Sequence, residues 1–220
     1  MCIRDSSGPD GVPDGVIDDY DKTNIGSPMP KFTFGWTNTF RYKNFDLSVF
    51  INGSYGNKVY NYLSMKLTHM NSPWTNQLNA VNGRAQLVPI NPNKVYEDGT
   101  MWYNDVSNVM VANPGASIPR ATINDPNDND RISDRYIEDG SYIRLKNISL
   151  GYTFPKKTID KLGLSNLRIY ANIQNLLTIT GYDGYDPEIG ASTSSVNVYG
   201  LDNGRYPSPT VYSFGLNVSF

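Results

Sequence analysis

The stretch Tyr206–Phe220, YPSPTVYSFGLNVSF, is the most informative in this chain. After its two prolines, Tyr212, Phe214, Leu216, Val218 and Phe220 alternate with Ser213, Gly215, Asn217 and Ser219. A strand repeats every two residues, so one face is wholly apolar and the other small or polar. The run from Thr210 to Phe220 is long enough to cross a hydrocarbon core as a tilted strand, for which roughly 9–11 residues suffice. That is the pattern of a membrane β-barrel strand, lipid on one side and a watery lumen on the other. A soluble sandwich uses the same alternation, so the strand alone leaves both folds open.

Two earlier stretches repeat the alternation. In Lys31–Tyr42, KFTFGWTNTFRY, the residues Phe32, Phe34, Trp36, Phe40 and Tyr42 share a face, with Asn38 its one polar member; Thr33, Gly35, Thr37 and Thr39 take the other. After only Lys43 and Asn44, FDLSVFINGSYG places Phe45, Leu47, Val49 and Ile51 outward. Asp46, Ser48 and Asn52 point inward, and Phe50 is an inward misfit. Two such runs separated by two residues predict a hairpin.

From about residue 64 to 140 the pattern dissolves into Asn, Pro, Gly and Asp, a length of loop usually kept for function. Strands resume at YIRLKNISLGYTF, where Ile148, Leu150, Tyr152 and Phe154 share a face but Ile143 and Leu145 have the opposite parity. The phase change predicts a bulge or an extension beyond the membrane. A short basic connector, PKKTIDKLGLS, leads to LRIYANIQNLLTI, with Leu167, Ile169, Ala171, Ile173, Leu177 and Ile179 on one face and Arg168, Asn172 and Gln174 on the other. A second long loop, from about 181 to 209, precedes the last strand.

The connections therefore run short, long, short, long. Outer-membrane barrels have that asymmetry, with short periplasmic turns and long extracellular loops. A sandwich has no reason to segregate its loops this way. The expected fold is all-β: about five strands of an antiparallel, up-and-down transmembrane β-barrel, a C-terminal fragment with long extracellular loops. Residues 1–30 form an N-terminal segment and 31–220 the barrel portion, with the C-terminus periplasmic.

Composition narrows the chemistry. The formal net charge of −2 over 220 residues argues against nucleic acid as partner. Hydrophobic residues make up 39%, too dilute for a membrane helix but ordinary for barrel strands. Cys2 and His69 are the single cysteine and histidine. Thiolate clusters are excluded, and His69 has no supporting catalytic or zinc motif, so an ordinary loop position is expected for it. The opening MCIRDSSG is too short in apolar residues for a secretory signal, so the natural N-terminus is expected upstream; MCIRDS itself looks like translated adapter sequence, a plain disordered terminus being the alternative.

Several stretches, in order, resemble the C-terminal part of SusC/RagA-type TonB-dependent outer-membrane transporters. They are DGVIDDYDKTNIGSPMPKFTFGWTNTFRYKNFDLSVFINGSYGNKVYN, ISDRYIEDGSYIRLKNISLGYTFP, LRIYANIQNLLTITGYDGYDPEIG and the terminal strand. The resemblance implies a large barrel, of a class with 22 strands and a plugged lumen. It implies import of a glycan, peptide or other bulky nutrient in a Bacteroides-like Gram-negative bacterium, driven by the TonB complex through a missing N-terminal part. A SusD-like surface lipoprotein, outer-membrane lipid and the barrel-assembly machinery are the partners it implies. That machinery would read Tyr212, Phe214, Leu216, Val218 and above all Phe220. Five strands cannot close a barrel, so the fragment alone is not expected to transport.

The segment Asp10–Asp21, DGVPDGVIDDYD, resembles a calcium loop of the same family. Asp10, Asp14, Asp18 and Asp21 would supply carboxylates, Val16 a carbonyl and Gly15 the sharp turn. Val12 stands where a further Asn or Asp ligand is usual, and the alternative is a hydrated Asp-Gly turn. Calcium is the one cofactor implied. The acidic run Asn124–Asp134 reads as a solvated turn. Trp74, Trp102, Tyr96 and Tyr103 in the long loop are candidates to stack on sugars, loop self-packing being the competing use. Two other classes compete with the transporter: a secreted carbohydrate-binding β-sandwich, and a glycoside hydrolase using paired carboxylates, for which Asp183, Asp186 and Glu188 are the nearest cluster. The chain is expected not to be an enzyme.

Overall fold

In a computed structural model the described residues are 8–15, 17–123, 125, 128–188 and 199–220. The strands are β1 (Phe32–Tyr42), β2 (Phe45–Tyr55), β3 (Lys58–Asn61), β4 (Leu87–Pro89), β5 (Val109–Val111), β6 (Ile137–Asp139), β7 (Tyr142–Thr153), β8 (Asn166–Thr180), β9 (Leu201–Asp202) and β10 (Val211–Ser219). Two short helices are α1 (Tyr62–Thr68) and α2 (Lys156–Ile159). The chain forms two compact units, one of Gly26–Asn61 with Ile137–Phe220, the other of Met1–Ile25 with Tyr62–Tyr136.

The first unit is built on a five-stranded sheet in the order β1-β2-β7-β8-β10, every neighbour antiparallel. It is the expected up-and-down meander of five long strands, with β1 and β10 as open edges. Lys43, at φ 52°, makes the tight β1–β2 turn. Beyond the long-connection end, β6, β3 and β9 form a small mixed sheet.

Register shows that the apolar residues form continuous rows on one face. Tyr42, Phe45, Tyr152, Ile169 and Leu216 lie side by side across the five strands. The next row is Phe40, Leu47, Leu150, Ala171 and Phe214, and above it stand Val49, Ile148, Ile173 and Tyr212, with Asn38 at the β1 edge. At the far end Phe32 stacks on Tyr55, ring centroids 5.4 Å apart. Rows rich in aromatics thus bracket rows that are mostly aliphatic. An 11-residue strand such as β1 spans about 36 Å at ~3.3 Å per residue, and tilted by about 45° it covers close to the ~25 Å of a barrel's apolar band.

This apolar face is exposed: Trp36 57%, Phe40 56%, Leu150 47%, Phe214 84%. A soluble sandwich would cover these rows with a second sheet, and among the described residues none lies over them. The sandwich alternative is therefore set aside. Burial is concentrated instead in the connections, where Val59 of β3 and Ile159 of α2 are almost completely enclosed.

The phase change in β7 is a bulge. Against β2, Phe50 pairs with Asn147 but Ile51 pairs with Leu145, so Lys146 is an extra residue. Opposite Lys146, β8 has Asn175 and Leu176, a second extra residue, and Asn175 takes a positive φ of 52°. Asparagine tolerates that conformation better than other non-glycine residues. One extra residue flips side-chain parity. Ile143 and Leu145 consequently join the outer face beside Gly53 and Ile51. The misfit Phe50 lies across Gly35 on the inner face, 3.3 Å from where a Cβ would stand.

The second unit contains most of the expected long loop. It is not structureless: it carries α1, three-residue strands β4 and β5 paired antiparallel, and several single turns of 3-10 helix.

Candidate functional site

The inner face carries Thr, Ser, Asn and Gln with charged clusters at either end. At the short-turn end, Asp46 of β2 and Arg168 of β8 meet across the intervening β7. Arg168 Nη2 donates to Asp46 Oδ2 at 2.5 Å and Nε to Oδ1 at 3.2 Å. The strand between them contributes Gly151 at that level, and a Cβ there would run into both side chains. The glycine is required by this close approach. Toward the middle of the face the side-chain oxygens of Asn147 and Asn172, and nearer the long-connection end that of Asn52, are buried with no hydrogen-bond partner among the described residues.

The long-connection end holds the more elaborate cluster, centred on Arg144. The β7 bulge places it on the inner face, between Asn52 of β2 and Thr178 of β8, and it is 3% exposed. Its Nε donates to Thr178 Oγ1 at 2.9 Å, Nη1 to Glu188 Oε2 at 2.7 Å and Nη2 to Asp186 Oδ1. Lys146, the bulged residue, donates to the same Glu188 oxygen at 2.7 Å. Asp186 also accepts from the amides of Glu188 and Ser208, each at 2.9 Å. Burial pushes the Asp186 carboxyl up, but the Ser208 amide, the Arg144 guanidinium and the Glu188 amide outweigh it and hold it below the ordinary carboxylate range. One guanidinium thereby ties the loop after β8 and the segment before β10 to the sheet.

Beside this clamp lies a cavity of about 540 Å³, lined by Lys146, Asp186, Glu188, Arg205, Tyr206 and the run 207–209. Two cations, two carboxylates, a tyrosine and a serine make it suited to binding polar groups by hydrogen bonds and charge. It is poorly suited to glycoside hydrolysis. A general acid needs a raised carboxyl pKa, whereas Asp186 is lowered, and both Asp186 and Glu188 are committed to Arg144.

Tyr182 is 5% exposed and donates to Asp202 Oδ2 at 2.5 Å, joining the start of the second long loop to β9. Burial and the Asp202 carboxylate push its hydroxyl well above the usual tyrosine range. Tyr185, by contrast, is exposed.

Among the long-loop aromatics, Tyr96 donates to Asp105 at 2.8 Å and accepts from Asn108 at 3.0 Å, and Trp102 packs edge-on against Tyr103 with centroids 5.7 Å apart. Self-packing thus employs three of the four. Trp74 is 92% exposed and remains available to a ligand.

His69 stands in a loop, as expected, but is buried on Asp125; of the three clustered aspartates in the expected solvated turn, Asp128 and Asp130 are exposed and Asp125 is the correction. His69 Nε2 lies 3.0 Å from Asp125 Oδ2, and both side chains are 9% exposed. Asp125 also accepts from the Asn129 side chain at 2.6 Å. Burial pushes the Asp125 carboxyl up, but Asn129 and His69 together bring it below its ordinary value. Asn124, Pro126 and Asn127 of the same run lie outside the described residues. His69→Ala is expected to destabilise the 64–136 loop by about 1–3 kcal/mol, the cost of leaving a buried acceptor short of a partner. Because the folded carboxyl titrates below the unfolded value of about 3.9, its contribution is present at neutral pH and disappears as pH falls below that value. Limited proteolysis of the loop in the full-length receptor, at pH 7 and pH 3, checks this: the variant should be cut faster at pH 7, with the difference shrinking at pH 3.

In the N-terminal segment Gly11 and Gly15 both take positive φ, at 81° and 84°. The Asp18 side chain accepts from the Tyr20 amide at 2.8 Å, the Asp21 side chain from the Asp18 amide at 3.0 Å, and Asp10 from the Val12 amide at 3.3 Å. These carboxylates cap local turns, and among the described residues no group of three or more His, Cys, Asp or Glu side chains converges as metal ligands. Val16 of the expected calcium loop lies outside the described residues.

The expected outer-face residues Tyr212, Phe214, Leu216 and Val218 do share the outer face, paired with Ile173, Ala171, Ile169 and Leu167 of β8. Phe220 follows the strand and is 92% exposed. Sequence reasoning missed Arg144, Lys146 and the His69–Asp125 pair. The one signal for Arg144 was a lone arginine in an alternating strand, and its partners lie 42 and 44 residues away.

No protein-family model matches this chain. Among curated proteins, TonB-dependent receptor P3 of Formosa agariphila is 36% identical over 211 residues, an alignment covering 94% of this chain and 18% of that receptor. TonB-dependent receptor P26 of the same organism is 33% identical, with 94% and 19% covered. TonB-dependent receptor SusC of Bacteroides thetaiotaomicron is 29% identical, with 94% and 17% covered. The chain spans about a fifth of the length of these relatives. Among solved structures, the RagAB peptide importer in its closed-closed state superposes with a TM-score of 0.68 at 21% identity, covering 97% of this chain and 20% of that chain. At that identity the likeness speaks for the fold.

Proposed function

Because this chain belongs to the SusC/RagA family of TonB-dependent outer-membrane receptors, we propose that it forms part of the barrel wall of a nutrient importer and supplies part of the lumen lining. The observation that carries this is the exposed apolar face, aromatic rows bracketing aliphatic ones at membrane spacing, set back to back with a polar inner face. On this reading the short turns and Phe220 lie in the periplasm, and the Arg144 clamp and its cavity lie at the outer mouth. There the cavity would meet the cargo, a glycan or a peptide, both rich in the polar groups it suits.

Energy would come from the TonB complex, acting through parts of the receptor outside these residues. A SusD-like lipoprotein at the outer mouth would deliver cargo, and the barrel-assembly machinery would recognise the β10 end. No residue here is given a catalytic role.

Uptake by cells expressing the full-length receptor tests this. Deleting its gene is expected to abolish growth on one oligosaccharide or peptide source, and restoring the gene to recover it only while TonB is present. Undiminished uptake without TonB would sink the proposal.

A further inference from the structure

We propose that the outer face holds a specific phospholipid, its acyl chain in a groove over Ala171 and its anionic phosphodiester on the lysines of the adjacent short turns. The site rests on the membrane-wall reading above, with those turns in the periplasm.

Ala171 is the one small side chain in its row, flanked by Leu150 and Phe214. The neighbouring row presents Tyr152, Ile169 and Leu216. Together they flank an open groove of about 550 Å³ whose lining is almost entirely apolar. That volume falls in the range of roughly 300–1,000 Å³ typical of small-molecule sites. Its position one and two rows in from the short turns puts it at the depth of acyl chains just beneath the headgroups.

The end of the groove is cationic. Phe45, whose ring packs 4.7 Å from that of Tyr152, follows the turn residue Lys43 by two positions. Tyr152 precedes Lys156 and Lys157 by four and five positions. Lys43, Lys156, Lys157 and Lys161 are exposed, and none joins a salt bridge among the described residues. Among the described residues the acidic groups at this end are Asp160, Asp46 and the carboxylate of Phe220, which lies against Ser165 of the β7–β8 connection; Asp46 is tied to Arg168 on the inner face. Aromatic residues settle at headgroup depth and long basic side chains reach outward from it, so the lysines meet the phosphate level. A bare apolar groove would accept any acyl chain. Lysines outside any salt bridge at one end of it, of which Lys43 lies over the Tyr42 ring at 5.3 Å from its centroid, select an anionic phosphodiester.

The test is native mass spectrometry of the full-length receptor released from nanodiscs of phosphatidylethanolamine and phosphatidylglycerol. The wild type is expected to retain a phospholipid. Ala171→Trp, which fills the groove, should lower retention, and the double variant Lys156→Glu with Lys157→Glu should lower it by at least about tenfold, since each surface lysine is worth on the order of fivefold in binding anionic lipid. The lysine pair opens α2, outside the strands, so it reads the site even where Ala171→Trp hinders assembly. Retention unchanged in assembled, heat-modifiable variants, or none in the wild type, overturns the site. A wild-type receptor that forms no heat-modifiable barrel would overturn the wall reading itself.

Discussion

Arg144→Met is expected to cost the full-length receptor about 3–5 kcal/mol, the usual effect of removing one partner from a buried ion pair. The cost arises from what remains. Asp186 has a side chain 10% exposed and would keep only amide donors, while Glu188, at 36% exposure, would keep Lys146. Asp186 therefore bears most of the penalty, and burial then raises its carboxyl without opposition from a cation. The expected readouts are a lower temperature for loss of the heat-modifiable barrel and faster trypsin cleavage between residues 181 and 209. Arg144→Lys should fall between the two, because an ammonium cannot bond Thr178, Asp186 and Glu188 together as the planar guanidinium does. The sign of the pH dependence follows from the lowered Asp186 carboxyl: the clamp contributes fully above the unfolded value of about 3.9 and loses its contribution as pH falls below it. Wild-type and Arg144→Met receptors melting together at pH 7 would remove the clamp from this account.

The second large effect comes from placing a charge on the lipid face. Ile148 sits in the central row between Val49 and Ile173, so Ile148→Arg is expected to destabilise the assembled barrel by about 2–4 kcal/mol, as arginine does near the bilayer midplane. Its neighbour Ser149 faces the lumen between Ser48 and Asn172, where water solvates a guanidinium, so Ser149→Arg should cost less than about 1 kcal/mol. Adjacent residues with opposite responses are a consequence of strand period alone. Urea titrations of the two variants refolded into lipid vesicles measure the difference, and equal costs would contradict a lipid-facing surface.

The five long strands were legible because both faces of a barrel wall are selected at every second residue. The run Thr210–Phe220 emerges as β10, Val211–Ser219, and the two-residue separation at Lys43 and Asn44 emerges as the β1–β2 turn. The parity break at Leu145 was visible as well, although two causes were open to it. Pairing of β7 with its neighbours selected the bulge, since it shows one extra residue against β2 and a further one in β8.

The long loop was another matter. Its Asn, Pro and Asp content matches a hydrated coil, yet His69 and Asp125, 56 residues apart, are buried on each other. Tyr182 and Asp202 do the same across the second loop. Neither pair has a local signature, because a single polar side chain in an irregular segment looks the same whether water or a distant partner satisfies it.

By itself, then, the sequence determined the strands, their faces, the alternation of short and long connections and hence a membrane wall, because lipid and water impose a period that each strand must carry in its own residues. Tertiary structure alone decided that Lys146 is bulged, that Arg144 thereby turns inward to clamp Asp186 and Glu188, and that Ala171 sits at the floor of a groove. Those outcomes depend on how many residues each strand spends between one paired level and the next, and that count exists only once the strands are in register.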